Sequence, residues 1–153
     1  MELSKKQIVY LILVIIWMIV VFLFSNESSE KSSKASGGIT EKVVEVIIKD
    51  PEHLSQSKRD TIETIIRKLA HFTLYTIGGI LIANFMNTTN IKPNSMLIVY
   101  SILFATMYAI TDEIHQLFVP GRSGEIRDIL IDTLGASFGT YVFTRIKNNK
   151  RRK

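Results

Sequence analysis

An all-α membrane protein, built as a bundle of four transmembrane helices, is the fold class this sequence predicts. Three observations predict it. The apolar residues of the 153-residue chain collect into four blocks, at about 8–24, 69–86, 96–118 and 129–146. Each is long enough to cross a hydrocarbon core. The first and third blocks are apolar nearly all round, where a helix of a soluble bundle would carry a polar stripe. Lys and Arg collect at the segment ends that a single alternating topology places on one side. The length suits one membrane domain covering 1–153, and the absence of cysteine excludes a disulfide.

The first block, 8–24, carries no charge and follows Lys5 and Lys6. A secretory signal peptide has that pattern too. No small-residue cleavage site follows the run, so it is expected to remain as an anchor.

The segment 25–68 then forms a long loop, expected on the extracytoplasmic side. Its first part, 25–38, is rich in Ser, Lys, Glu and Gly and reads as polar and mobile. Ser25, Ser28 and Ser29 read as helix-end or turn residues, with a nucleophilic serine as the rival reading. Val43, Val44, Ile47 and Ile48 recur at helical spacing, and Pro51 is expected to end that amphipathic piece. A second stripe, Ile62, Ile65, Ile66 and Leu69, runs on into the second span. Either piece could lie on the membrane surface or cover the mouth of the bundle.

The second and fourth spans carry small residues suited to close helix contact: Gly78 and Gly79 on one, Gly135 and Gly139 in a GxxxG pattern on the other. The tail 147–153 is basic. Directly after an apolar span, it reads as a topology anchor on anionic lipid, not as a nucleic-acid site.

Orientation follows from charge. With the N-terminus inside, the inner segments 1–7, 87–95 and 145–153 hold nine basic residues (Lys5, Lys6, Lys92, Arg145, Lys147, Lys150, Arg151, Arg152, Lys153) and one acid, Glu2. The outer segments 25–68 and 119–127 are about twice as long and hold ten basic residues against nine acids. The expectation is a multi-pass protein of a cytoplasmic membrane with both termini in the cytoplasm.

Against that frame, His71, Asp112, His115 and Asp132 are ionisable groups inside apolar spans. Such groups are expensive in lipid and mark functional sites by default. The alternating topology puts all four in the outer layer of the bilayer. Asp112, His115 and Gln116 fall at i, i+3 and i+4 and share a helix face, and Asp128 and Asp132 share another. Glu113 points roughly 100° away from Asp112. Arg67 and Lys68 stand at the outer edge of the second span, and Arg122 and Arg127 flank the short loop before the fourth.

Each residue also has a plainer reading. Asp128 can serve the dipole at a helix start. Lys68 can snorkel to the interface. His71 with Asp132, or His115 with Asp128, can be ion pairs that only fix packing. A cluster of six or more polar groups fits that last reading poorly, because each buried group adds a desolvation cost.

Three stretches also carry a resemblance. They are Arg67-Lys68-Leu69-Ala70-His71-Phe72-Thr73-Leu74-Tyr75, the run from Tyr108 through Asp112-Glu113-Ile114-His115-Gln116-Leu117-Phe118-Val119-Pro120-Gly121-Arg122, and Asp128-Ile129-Leu130-Ile131-Asp132-Thr133-Leu134-Gly135. Together with Phe24-Ser25-Asn26 they resemble the VanZ-like family. The resemblance implies a membrane protein of the bacterial envelope. The name-giving member raises resistance to teicoplanin, a glycopeptide antibiotic with a lipid tail. The resemblance brings no settled mechanism and no cofactor.

Three functions compete at this point. One is a binder of membrane lipids, of a lipid-linked cell-wall precursor or of a lipoglycopeptide, with Arg67, Arg122 and Arg127 on an anionic group. Glu113, Gln116 and Asp128 are the further candidate contacts. Another is a hydrolase or transferase on the same lipids, with His71 or His115 as general acid/base and Asp112 or Asp132 orienting it. A metal-dependent version would use the two His and two Asp as ligands. The third, a transporter, lacks a polar path through the inner half, where Asn84 is nearly the only strongly polar residue.

Overall fold

The computed structural model describes residues 3–27, 29–47, 55–89, 91 and 94–152, without the side chains of 29–36, 47 and 150–152. The described residues fold into five helices: α1 (Lys5–Ser25), α2 (Ser29–Ile47), α3 (Gln56–Thr88), α4 (Asn94–Gln116) and α5 (Ile126–Arg152). Ser28, Ile48, the expected stop at Pro51, Lys92 and Lys153 lie outside the described residues.

Helix α1 starts at a capping box: Ser4 accepts from the Gln7 backbone N–H, and the Gln7 side chain accepts from the Ser4 N–H. Gln7 also donates to Thr88 O at 3.1 Å, which ties the start of α1 to the end of α3. The two helices therefore run antiparallel. Val14, Trp17 and Val21 fall on the buried side of α1, and Trp17 donates to Leu74 O at 2.9 Å. Trp17 also packs edge-on against the buried Tyr75.

The polar stretch 29–38 is not a mobile loop, as the composition suggests, but the first half of α2. Six of its ten residues are Ser or Gly, so propensity does not explain the helix, and what holds α2 is the burial of Thr40 and Val44 where it packs on α3. The second amphipathic stripe and the second span are one continuous 33-residue helix, α3.

Helices α3 and α5 form the tightest pair, and glycine makes it possible. A Cβ on Gly139 would lie 2.0 Å from Thr76 O, one on Gly135 2.4 Å from Phe72 O, and one on Gly79 2.2 Å from Ala136 O. The backbones are thus closer than any side chain permits.

Helices α1, α3 and α4 are long and apolar enough to cross a membrane. Helix α5 has the length but not the average apolarity. Its polar residues explain the shortfall: Asp132, Thr140 and Thr144 are buried in the bundle, while Leu130, Leu134, Phe138 and Tyr141 are exposed along one side. Averaged hydropathy does not separate the two faces. The basic tail expected at 147–153 continues α5 as helix to Arg152.

Candidate functional site

The polar residues of the spans collect at the end of the bundle where α4 passes into α5. Ser25 ends α1 there, and its buried hydroxyl donates to Asp112 Oδ2 at 2.7 Å. Gln116, one turn along α4, donates to the same oxygen at 3.2 Å. Asp112 also lies within electrostatic reach of His71, His115 and Asp132.

Beside this group, His71 of α3 faces the fully buried Asp132 of α5. His71 Nδ1 stands 3.5 Å from Asp132 Oδ1, at ion-pair distance but without hydrogen-bond alignment. Neither oxygen of Asp132 has a hydrogen-bond partner among the described residues. The buried Tyr75 hydroxyl lacks one as well. His71 Nδ1, both Asp132 oxygens and the Tyr75 hydroxyl are thus buried polar atoms without a hydrogen bond among the described residues, an arrangement that costs stability.

The loop from 117 to 125 covers the cluster. Val119 O accepts from the Arg122 N–H at 3.1 Å, and Gly121 has φ 75°. This is a type II turn with Pro120 and Gly121 at its centre, and the left-handed position requires the glycine. Arg122 is thereby aimed back over the bundle. Its guanidinium donates to Glu27 O at 3.2 Å, Phe24 O at 3.3 Å and Gln116 Oε1 at 3.4 Å. Burial and, after it, the adjacent Arg67 pull its pKa below the usual arginine value.

Arg67, His71, Gln116, Arg122, Glu125 and Asp128 line a cavity of about 190 Å³. Lys68 forms an ion pair with Asp128 and stands 3.8 Å from Glu125. It therefore does more than snorkel, because α5 begins with acids directly across from it. Asp128 accordingly serves both that pair and the first turn of α5.

Five candidates do not line the cavity: Asp112 and Asp132 lie buried behind Gln116 and His71, and three others face elsewhere. His115 turns toward α1, with its ring centroid 4.7 Å from that of Phe22. Glu113 is buried on another side of α4 and accepts the Glu125 N–H at 2.8 Å, which pins the loop. Arg127 is exposed and does not line the cavity. No three His, Cys, Asp or Glu side chains converge as metal ligands among the described residues, so the two-His, two-Asp set of the metal-dependent alternative is not assembled there. A larger cavity of about 500 Å³ lies between α3 and α5 toward the other end, by Asn84, Asn87 and Lys147, away from the ionisable cluster.

Ser25 and Tyr75 are the residues the sequence reading did not place in the cluster. Both carry hydroxyls at positions where turn-forming or packing roles are more common, and only the contact with Asp112 and the burial beside Asp132 distinguish them. No curated protein and no solved structure matches the chain. Its family is defined by another comparison: residues 10–147 match VanZ/LLP1, and the chain belongs to that family of membrane proteins.

Proposed function

We propose that this VanZ/LLP1 protein binds the anionic headgroup of an envelope amphiphile, such as a membrane lipid, a lipid-linked wall intermediate or a lipoglycopeptide. The observation that carries this reading is that Arg67 and Arg122 border the same cavity, within electrostatic reach of each other. Two guanidinium groups bordering one cavity repel each other, and an anion between them would offset that repulsion. Arg122 donates to carbonyl and amide oxygens, and no carboxylate among the described residues forms an ion pair with it. A phosphate or carboxylate would take up its charge.

On this reading α5 is a fourth span, both termini are cytoplasmic and the cavity faces the outer leaflet. The exposed apolar side of α5 supports the span, and the basic inner segments support the orientation. Purified protein offered equal amounts of phosphatidylglycerol and phosphatidylcholine should retain the anionic lipid preferentially. Replacing Arg67 and Arg122 together by Gln should remove the preference. Equal retention of the two lipids by the unaltered protein would refute the reading.

One feature favours a second reading, a hydrolase or transferase acting on the same amphiphile. His71 lies between the cavity and the buried Asp132, the placement of a general base with its orienting carboxylate. An enzyme leaves a changed product pool in a deletion strain, whereas a binder leaves the lipid species intact.

A further inference from the structure

The geometry points to a ligand whose hydrocarbon chain leaves the polar cavity sideways, along the apolar groove between the end of α4 and the start of α5. This rests on the headgroup reading above and adds where the rest of the molecule lies. The groove has a volume of about 170 Å³ and is lined on its apolar side by Ile110, Ile114, Leu117, Ile126 and Ile129. Leu117 is 61% exposed and Ile126 77%, so the groove opens away from the bundle axis. In a membrane that side meets lipid tails.

Two observations connect the groove to the polar cavity. Glu125 forms part of the wall of both, so only a short neck separates them. Gly124 lets the loop close on α4 along the edge of the groove, since a Cβ there would lie 2.9 Å from Leu117 Cδ2 and 3.1 Å from Glu113 O. Glu113 borders the groove, is buried, and has one carboxylate oxygen on the Glu125 N–H while the other, Oε1, has no partner. A buried acceptor left open beside the neck suits a hydroxyl or amide donor near the junction of headgroup and chain. A polar pocket with an apolar side exit matches a molecule polar at one end and apolar at the other. A small soluble anion would need no such exit.

Chain length alone cannot test this, because a chain leaving the bilayer for the groove exchanges one apolar setting for another. The position of the chain can. The full-length protein in nanodiscs would be given trace phosphatidylglycerol with a diazirine in its acyl chain, or phosphatidylcholine with the same chain. After photolysis the adducts are mapped by mass spectrometry. Phosphatidylglycerol should give several-fold more adducts than phosphatidylcholine at Ile114, Leu117 and Ile126, with no such excess on the outer side of α1. Ile114→Trp, which fills the groove, should remove the excess at Leu117 and Ile126, and an undiminished excess there would overturn the groove. Retention of phosphatidylglycerol with its adducts on other helices overturns the groove and leaves the headgroup reading standing. No preference for phosphatidylglycerol in retention or adducts overturns both.

Discussion

The hydroxyl of Ser25 donates to Asp112 across the interface of α1 and α4, at 2.7 Å and out of contact with solvent. The bond joins the last residue of one helix to an ionisable residue inside another. Removing it leaves Asp112 with Gln116 as its hydrogen-bonding neighbour. Ser25→Ala should therefore lower stability by about 1–2 kcal/mol, the range for a buried hydrogen bond between membrane helices. Thermal unfolding in a fixed detergent measures it. An unchanged midpoint would mean that water or another group replaces the serine.

His71 and Asp132 form the second linked pair, and here the two single losses are unequal. His71→Ala strands a fully buried carboxylate, whereas Asp132→Ala leaves a histidine that still borders the cavity. His71→Ala is expected to cost about 3–5 kcal/mol, the scale for an ion pair broken from one side. The double Ala variant should cost less than the sum of the singles, and both singles should lose anionic-lipid binding. Strict additivity in the cycle would show that the pair does not interact.

How much of this could be read from the chain depends on the kind of signal each residue gives. His71, Asp112 and Asp132 stand out because charge inside an apolar block has few harmless explanations. Ser25 does not, because serine after a span commonly ends a helix, and only the fold brings α4 to it. His115 shows the limit of spacing arguments. At 3.6 residues per turn, i+3 and i+4 fall on opposite sides of the starting residue, by roughly 60° and 40°. Gln116 thus stays with Asp112 while His115 swings to Phe22. Helix α2 was only half legible, since its polar first half carries no periodicity and its docking on α3 lies beyond local sequence. Helix α5 was legible as an element, but its exposed apolar side and buried polar side cancel in any average.

Topology can be tested on a chain that has no native cysteine. A single Cys at Glu45, exposed on α2, should react with an impermeant thiol reagent on intact cells. One at Asn149, exposed near the end of α5, should react only after permeabilisation. Labelling of both on intact cells would mean that α5 does not cross. Labelling of Asn149 alone would invert the protein and place the cavity on the cytoplasmic side.

Close packing of α3 on α5 carries the cavity wall, since His71 and Asp128 sit on those two helices. Gly139 lies two turns below Asp132, where a Cβ would overlap Thr76 O at 2.0 Å. The obstacle is backbone, which cannot rotate away. Gly139→Ala should destabilise by about 1–3 kcal/mol as the helices separate. Gly38→Ala is the control, because nothing lies within 4 Å of that position. Equal melting temperatures for the two variants would contradict the packing.

Arg122 has two jobs to separate, since it fastens the loop to the end of α1 and borders the cavity beside Arg67. The type II turn at Pro120-Gly121 fixes where its side chain starts. Its planar guanidinium can hold Phe24 O, Glu27 O and Gln116 at once and still present an edge to an anion. A lysine ammonium keeps the charge but cannot span that set. Arg122→Lys should therefore lose most of the preference for phosphatidylglycerol. Its effect on melting should be modest, because two of the three bonds run to exposed backbone carbonyls reachable by water. Gln116→Ala, which removes one of those partners without removing the charge, should weaken binding less than Arg122→Lys does. If Arg122→Lys lowered the melting temperature sharply yet bound the anionic lipid normally, the residue would be a clasp for the loop, and Arg67 alone would be left to meet the anion.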